Sequence, residues 1–438
     1  METFYPDYYS AFTCTADKCP VTCCQEWKIY VDDMTKEKWK SLTPPECVGG
    51  HKKNLNSFTE KKEGQRVIRL TDDHRCPFLT ENLLCSLVLT YDTDILSETC
   101  ITFPREYHDF VDHREASLMP CCPAVIDLWK QKKCLTFPEA SSVSPDPAFL
   151  LREKITALIQ GILPFTESSL NKAPSAESLT DQSRSPDPSR LPAPPLTILQ
   201  SFYILQELYR KEEKGQLLTA AVIEDCFTPT TLSELQKAIY ELPSSTADTI
   251  LECNELLQDL AVNYLEEGLY TEYLEPLITQ AEQLSDMLQD TEDMPLSSAH
   301  DPSEDPELLR NTETDRLLSD WNAFCLQLEA FYPLFRSFLA NEMYSDLLAP
   351  DDTSTEHMLV RLQWTALQYA AIRQALFLTY LSEDKGILSY KSVRQAIVIL
   401  TRMTGYEEED IYEYLETSFE SLLWDFGYLA FIMGNVII

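Results

Sequence analysis

Glycine is scarce in this chain: ten glycines occur in 438 residues, and the first is Gly49. No GxGxxG sequence follows a predicted strand. A dinucleotide-type fold needs those glycines for its tight turn and for close approach of the backbone to a pyrophosphate. The sequence therefore excludes a Rossmann-type glycine-rich loop.

Basic residues are also few, because 35 Lys and Arg stand against 71 Asp and Glu, a net charge of −36. Nucleic-acid binding depends on clustered cations that displace counterions from phosphates, so nucleic acid is excluded as a partner. The acidic residues are unevenly distributed along the chain. Residues 1–140 hold 17 Lys and Arg against 22 Asp and Glu, and the remainder holds 18 Lys and Arg against 49 Asp and Glu. A negatively charged surface either keeps the protein soluble or attracts a Lys-rich partner, and solubility is the commoner role.

Targeting and membrane-spanning signals are missing from the sequence as well. The opening METFYPDYYSAFTC has no basic stretch followed by an apolar stretch, which predicts that the protein carries no secretory signal and is cytoplasmic. The longest apolar run, 426–438, is shorter than the roughly 20 residues that span a bilayer, so no membrane span is predicted.

Cysteine, in contrast, is abundant: eleven of 14 cysteines lie at or before Cys134. In a reducing compartment thiols serve metal or redox chemistry more often than disulfides. Four thiolates from separate segments can converge on zinc or on an iron–sulfur cluster, and spacing alone leaves open a zinc-stapled domain without chemistry. The spacing is Cys14-x4-Cys19-x3-Cys23-Cys24, then Cys76-x8-Cys85-x14-Cys100, then Cys121-Cys122.

The adjacent pair Cys23 and Cys24 limits the chemistry further. Neighbouring side chains diverge on a strand and lie about 100° apart on a helix, so the two thiols are not expected to share one role. Either they ligate two centres, or one ligates and the other packs as a small apolar side chain. The pair also excludes the radical S-adenosylmethionine pattern of cysteines at x3 and x2 spacing, and no thioredoxin-like CxxC occurs.

Periodicity and composition predict a mainly α protein, in which a small irregular cysteine-rich metal domain with a short β-hairpin precedes an α-helical bundle. Strand-like alternation occurs around Ile29 and over 66–70, and the run 83–89 is predicted as a strand after a turn at 80–82. Apolar residues at three and four spacing predict helical structure over 196–226, 357–381, 391–403 and 408–423. No fixed-period repeat indicates a solenoid.

Changes of composition divide the chain into four units. Ser/Pro-rich or acidic stretches cannot bury a core, so they are predicted as a linker and a disordered loop. The predicted units are a cysteine-rich metal-binding domain (1–140), a connecting helix (141–163), a Ser/Pro-rich linker (164–195) and an acidic α-helical domain (196–438) with a disordered acidic loop (290–307).

The segment AFTCTADKCPVTCCQEWKIYVD resembles the opening signature of the flagellin lysine-N-methylase family, within a wider group of zinc- or iron-chelating proteins with CxxCxxCC-type clusters. The resemblance covers the N-terminal part of the chain and continues through CPFL, TCITFPREY and SLMPCCPAV, which ends at Val125. It leaves Cys47, Cys121 and Cys134 as extra cysteines. The metal ligands that it implies are Cys14, Cys19, Cys23, Cys24, Cys76, Cys85, Cys100 and Cys122.

The resemblance implies methyl transfer from S-adenosylmethionine to lysine ε-amines of flagellin or another lysine-bearing protein. It also implies a cysteine-bound iron–sulfur (4Fe–4S) cluster, with zinc as the alternative metal. The competing hypothesis is a non-catalytic zinc- or iron-binding protein whose helical domain docks a partner. The sequence identifies neither the methyl-donor site nor the base that a lysine acceptor needs.

Other residues near the cysteines have two roles open to them. His74 is the best-placed histidine for an alternative metal ligand. Arg105 suits an anionic substrate group or, as we favour, a carboxylate of the fold. The aromatic residues around the first cysteines suit a cage for a cationic amine, although a core role is favoured. They are Tyr5, Tyr8, Tyr9, Phe12, Trp27 and Tyr30.

Overall fold

The computed structural model describes residues 1–48, 52–62, 64–163, 192–289, 306–382, 386–405 and 408–434. The predicted linker (164–195) and the predicted acidic loop (290–307) therefore lie almost wholly outside the described residues. None of the described helices combines the length and apolar content that crossing a membrane requires.

The described chain is mainly helical, as predicted. Its strands are β1 Glu2–Phe4, β2 Thr59–Lys62, β3 Gln65–Ile68, β4 Arg105–Asp109 and β5 His113–Leu118. The helices that precede the predicted linker are α1 Asp33–Trp39, α2 Ser86–Tyr91, α3 Glu98–Thr102, α4 Pro123–Lys130, α5 Ala140–Val143 and α6 Pro147–Ile159. The later helices are α7 Pro194–Glu213, α8 Ala220–Cys226, α9 Pro229–Tyr240, α10 Thr246–Glu266, α11 Thr271–Gln289, α12 Pro306–Leu328, α13 Tyr332–Asp346, α14 Thr355–Ser382, α15 Tyr390–Met403, α16 Glu408–Phe419 and α17 Phe426–Met433.

Two small sheets lie in the cysteine-rich half. In the first, β5 is central, parallel to β1 and antiparallel to β4. The second is the β2–β3 hairpin, in which Thr59 lies opposite Ile68. The predicted alternation over 66–70 therefore overlaps β3, and the alternation around Ile29 corresponds to an isolated bridge from Tyr30 to Val67.

The predicted strand over 83–89 is wrong, because helix α2 begins at Ser86. Leu87 is buried, whereas Leu89 is 65% exposed. A strand would place these two side chains on one face, since its period is two residues. Short apolar runs do not separate strand from helix by periodicity alone, and here the local chain turns at an isolated bridge between Leu79 and Cys85.

Helix α14 is the centre of the helical half and packs against α7, α10 and α15. It is buried on every side along most of its length, as expected for a helix surrounded by others. Helix α7 begins with Pro194 and Pro195, whose missing N–H groups cost nothing in the first turn. It therefore starts within the predicted linker.

The two halves of the chain share one hydrophobic core. Tyr8, Leu118 and Trp129 from the predicted cysteine-rich domain belong to the same buried cluster as the helices from α6 onward. A second, smaller core packs Trp39 and Phe78 with other apolar side chains and contains Cys76. The cysteine loops therefore lie between a small core of their own and the large helical core.

Candidate metal centre and adjoining carboxylate cluster

Loops rather than regular elements carry most of the predicted ligands. Cys14 and Cys24 lie in a segment without helices or strands longer than a 3-10 turn, Cys85 directly precedes α2, and Cys100 lies in α3. The Cys76 N–H donates to the carbonyl oxygen of Cys24 at 2.7 Å. This hydrogen bond brings the first and second cysteine segments side by side.

The thiols of these segments lie around Cys23. Burial raises the pKa of Cys76 to about 12 and that of Cys100 to about 11, and the Cys23 thiol adds to both shifts. Burial also raises the pKa of Cys85, again with a contribution from Cys23. A hydrogen bond with Cys24, followed by burial, raises the pKa of Cys23 itself. Such effects act over several ångströms, so the five thiols share one region of the structure. Among the described residues, no three cysteine sulfurs lie within 4.8 Å of one another.

A third segment joins the group through Cys122. Burial raises the pKa of Cys122 to about 12, and the Cys19 and Cys23 thiols add to the shift. Burial likewise raises the pKa of Cys19, with a contribution from Cys23. Cys14 differs, because it is exposed and its sulfur accepts a hydrogen bond from the Ala16 N–H at 3.4 Å. We call the thiols around Cys23 the cysteine cluster, comprising Cys19, Cys23, Cys24, Cys76, Cys85, Cys100 and Cys122.

The cysteine cluster fits a thiolate-bound metal in its donor chemistry. All fourteen cysteines lie in the described part of the chain and carry free thiols. Burial keeps several of the cluster thiols protonated, and a coordinated metal ion is what removes such protons outright. Zinc and iron–sulfur clusters both take ligands of this kind, so the choice of ligands and of metal stays a prediction.

Arg402 on α15 connects two cysteine segments to the helical half. The side chain is 8% exposed. Its Nε donates to the carbonyl oxygen of Cys121 at 3.1 Å, and its terminal nitrogens donate to the carbonyls of Thr22 and Val21 at 3.1 and 2.9 Å. Its guanidinium lies 5.6 Å from the centre of the Trp27 ring. One buried cation therefore satisfies three backbone acceptors next to the predicted ligands.

The positive charge of Arg402 also acts on the thiols. Burial raises the pKa values of Cys19 and Cys121, while Arg402 lowers both. The same charge lowers the pKa of Cys23 against its hydrogen bond with Cys24. Arg402 was not among the predicted site residues. The signal that could have revealed it is a single guanidinium within the buried run 396–403 of α15.

A second junction forms at the turn between α10 and α11. The carboxylate of Glu26 accepts a hydrogen bond from the Tyr270 N–H at 3.0 Å. His74 faces the same turn, because a Cβ placed on Gly268 would lie 3.3 Å from the imidazole Nε2. The histidine that the sequence favoured as an alternative ligand thus packs against the helical half.

The other predicted candidates lie in different surroundings. Arg105 lies over the Phe12 ring, with its guanidinium carbon 5.2 Å from the ring centre. Tyr8 is fully buried, packs edge-on to Trp129 and donates its hydroxyl hydrogen to Asn341. For Tyr8, the structure agrees with the favoured core role.

A mixed group of carboxylates and an imidazole lies where β4 meets α13. One ligand atom from each of Glu106, His108 and Asp346 lies within 4.8 Å of the other two. The hydroxyls of Ser345 and Ser117 donate to Glu106 Oε2 at 2.7 and 3.2 Å. The Glu106 and His108 side chains are 31% and 20% exposed, so the group opens to solvent. Sequence patterns do not reveal it, because β4 and α13 lie far apart along the chain.

Glu342, one turn before Asp346 on α13, extends this group into the interior. It is 7% exposed, and its Oε1 accepts a hydrogen bond from the Asn341 amide at 3.1 Å. Burial, with the charges of Asp346 and Glu106, raises the pKa of Glu342 well above its usual range. Although burial opposes it, the paired Arg361 guanidinium holds the pKa of Asp346 below its usual range. We call Glu106, His108, Glu342 and Asp346 the carboxylate cluster.

Cys121 lies close enough to both clusters for their charges to act on its thiol. Burial is the main cause of its raised pKa, Arg402 lowers the pKa, and Cys122, Glu106 and Glu342 raise it further. Arg402 and the carboxylate cluster therefore act on this thiol in opposite directions. The predicted metal ligands and a solvent-accessible acidic site thus adjoin each other.

One known protein family matches the helical half of the chain. The family model of the FliB lysine N-methylase C-terminal domain matches residues 196–432, more than half of the chain. This segment contains Arg402, Glu342 and Asp346, whereas the cysteine cluster, Glu106 and His108 lie outside it.

Individual relatives match shorter stretches. A lysine-N-methylase of Salmonella typhimurium strain LT2 is 30% identical over 146 residues, which are 32% of this chain and 34% of the relative. The flagellar biosynthetic protein FliU of Salmonella muenchen is 27% identical over 145 residues, 33% of this chain and 83% of the relative. The match thus spans about a third of the S. typhimurium lysine-N-methylase. No solved structure matches the chain.

Proposed function

Because this chain belongs to the FliB lysine N-methylase family, we propose that it transfers methyl groups from S-adenosylmethionine to lysine ε-amines of a protein. Flagellin is the proposed substrate, which the name of the flagellar FliU relative supports. All thiols are free, and thiols stay reduced in the cytosol, so we place the reaction in the cytoplasm.

The observation that carries this proposal is the attachment of the cysteine cluster to the family domain. Arg402 belongs to the matched segment, and its three hydrogen bonds reach the carbonyls of Val21, Thr22 and Cys121, in the loops that carry Cys23 and Cys122. A cysteine domain that served only its own stability would not need a buried cation from a distant helix. In this proposal the family fold and the predicted metal centre act as one unit.

We propose that thiolates of the cysteine cluster hold an iron–sulfur cluster, with Cys14 as a further candidate ligand. When bound, such a group supplies one-electron chemistry and a covalent link between chain segments. Methylation itself is redox-neutral: the amine nitrogen forms a bond to the methyl carbon, the carbon–sulfur bond of the sulfonium breaks, and S-adenosylhomocysteine leaves. The protein must position the amine and accept its proton.

The carboxylate cluster is the proposed acceptor site for the lysine side chain. Its carboxylates attract the ammonium group from solvent, and burial strengthens that attraction. The amine attacks only after losing a proton, and His108 lies beside Glu106, with 3.9 Å between Nε2 and Oε1. In this proposal Glu106 binds the ammonium group and His108 accepts the proton.

The direct test incubates the full-length protein, purified without oxygen, with flagellin and isotope-labelled S-adenosylmethionine. Mass spectrometry of flagellin peptides should show labelled methyl-lysine. Cys23→Ser should abolish the label, whereas Cys134→Ser, which alters an exposed thiol outside the cysteine cluster, should retain it. An enzyme that methylates normally after Cys23→Ser would contradict the role of the cysteine cluster.

The acceptor site is tested by two matched histidine variants. His108→Gln should lower kcat at least about tenfold because it removes the proposed proton acceptor. His74→Gln, which changes the histidine facing Gly268, should leave kcat within about twofold of the wild type. Equal losses in both variants would refute the assignment of His108. Unlabelled flagellin that nevertheless binds the protein would favour the non-catalytic alternative.

A further inference from the structure

A second group of potential metal ligands lies at the other end of the α13–α14 connection. One ligand atom from each of Asp352, His357 and Glu408 lies within 4.8 Å of the other two. Asp352 precedes α14, His357 lies in the first turn of α14, and Glu408 begins α16. Three separate backbone positions therefore converge at the junction of two helices.

His357 is the unusual member of this group. It is 2% exposed, and neither ring nitrogen has a hydrogen-bond partner among the described residues. Its Nδ1 points toward Glu408, with 3.4 Å between Nδ1 and Oε1. Buried polar atoms are almost always paired, because leaving one unpaired costs about 1–3 kcal/mol. The imidazole therefore lacks the partner that its burial calls for.

The surrounding charge is negative. Among the described residues, neither Asp352 nor Glu408 forms an ion pair with a lysine or arginine. The hydroxyl of Tyr412 is hydrogen-bonded to Glu408, and the charges of Glu408, Asp352 and Glu356 add to the effect of burial in raising its pKa. Two carboxylates beside an imidazole are a set of ligands that one divalent cation takes.

We propose that Asp352, His357 and Glu408 bind a divalent transition-metal cation. Imidazole nitrogen and carboxylate oxygens are ligands that zinc and manganese share, and water completes a site with three protein ligands. Around an ion with ligands at about 2.1 Å, neighbouring donor atoms lie about 3 to 3.5 Å apart. The separation of 3.4 Å between His357 and Glu408 has this size.

The cation would be structural. It would join the α13–α14 connection to α16. That connection lies between Asp346, at the end of α13, and its ion-pair partner Arg361 on α14. A cation here would stabilise the part of the fold that holds Asp346 in place.

The experiment titrates the full-length protein, with its cysteine cluster loaded, with Mn²⁺ and measures free Mn²⁺ by electron paramagnetic resonance. Manganese is chosen because oxygen and imidazole ligands suit it better than thiolates do. Glu408→Gln should weaken one class of site at least about tenfold, since loss of even an outer-shell partner costs 10- to 100-fold. Zinc should displace manganese from this class, as the order of divalent affinities requires.

Matched variants separate this site from other acidic groups. Glu409→Gln and Asp351→Asn alter exposed neighbours in sequence and should bind Mn²⁺ as the wild type does. His108→Gln should also retain the site, which distinguishes it from the carboxylate cluster. Glu408 is partly exposed, so its substitution tests binding even where His357→Gln disturbs folding. The proposal is overturned by wild-type protein that binds no Mn²⁺, or by Mn²⁺ binding that Glu408→Gln leaves unchanged.

Discussion

Arg402 shows how one residue can couple a metal-binding segment to a distant helix. Its planar guanidinium presents several donors in fixed directions and matches three carbonyl oxygens at once. A lysine in its place keeps the charge but cannot span the same three acceptors. The cysteine loops therefore depend on the shape of the guanidinium as well as on its charge.

We predict that Arg402→Met lowers the free energy of unfolding by about 3 kcal/mol, because it leaves buried carbonyl acceptors unpaired. Iron content per chain should fall with it, since the loops carrying Cys23 and Cys122 lose their attachment. Arg402→Lys should retain only part of the wild-type stability and only part of the iron content. The exposed Lys391 on the same helix is the control, and Lys391→Met should change stability by less than about 0.5 kcal/mol. Unchanged iron content in Arg402→Met would contradict this role.

Glu342 makes stability depend on pH. Burial and its acidic neighbours raise its pKa, so the folded chain holds this proton more tightly than the unfolded chain. Stability from this group is therefore lost as pH rises above about 4.3, the ordinary glutamate value, toward the raised pKa. Glu342→Gln mimics the protonated form. Its free energy of unfolding, relative to that of the wild type, should increase by about 1 kcal/mol or more as the pH rises from 5 to 8.

Thermal unfolding at both pH values measures this difference. Glu416→Gln, which changes an exposed glutamate of α16, should show no comparable gain. A wild-type protein and a Glu342→Gln variant with parallel pH profiles would show that Glu342 is ionised in the folded state.

At the scale of elements, the turn between α10 and α11 is fixed against His74. Gly268 has a φ of +72°, and an added Cβ would lie 3.3 Å from His74 Nε2. Gly215, with a φ of +77°, has nothing within 4 Å of that position. Gly215→Ala should therefore lower the free energy of unfolding by about 1–2 kcal/mol through backbone strain alone. Gly268→Ala should lower it by more.

A double-mutant cycle isolates the additional contact. In a His74→Ala background, the cost of Gly268→Ala should fall to that of Gly215→Ala, because the imidazole no longer opposes the new methyl group. Denaturant unfolding provides the free energies. Additive effects of the two substitutions would show that His74 does not press against this turn.

The long helices were the most predictable elements. The predicted helices 357–381 and 391–403 correspond to α14 and α15 within two residues at each end, because a three-and-four spacing sustained over several turns has few other interpretations. Helix α16 ends at Phe419 instead of 423, where Glu420 adopts a φ of +53° that interrupts the helix. The predicted strand over 83–89 was wrong because the run contains too few residues to define a period.

At the scale of the whole molecule, the candidate site depends on contacts that a single sequence does not contain. The cysteines could be selected because their residue type and spacing carry chemistry. Arg402 and Asp346 could not, because each reaches its partners only after α13 and α15 pack against the cysteine-rich part of the chain. The shared core, from Tyr8 to Met433, is what creates both clusters.

The central claim is that the cysteine cluster of a lysine N-methylase family member holds an iron–sulfur cluster. It is tested most directly by measuring iron, acid-labile sulfide and zinc in full-length protein purified without oxygen. We predict about four iron and four sulfide per chain, the composition of a cubane cluster, and their loss in Cys23→Ser but not in Cys134→Ser. Stoichiometric zinc without iron or sulfide would contradict the claim.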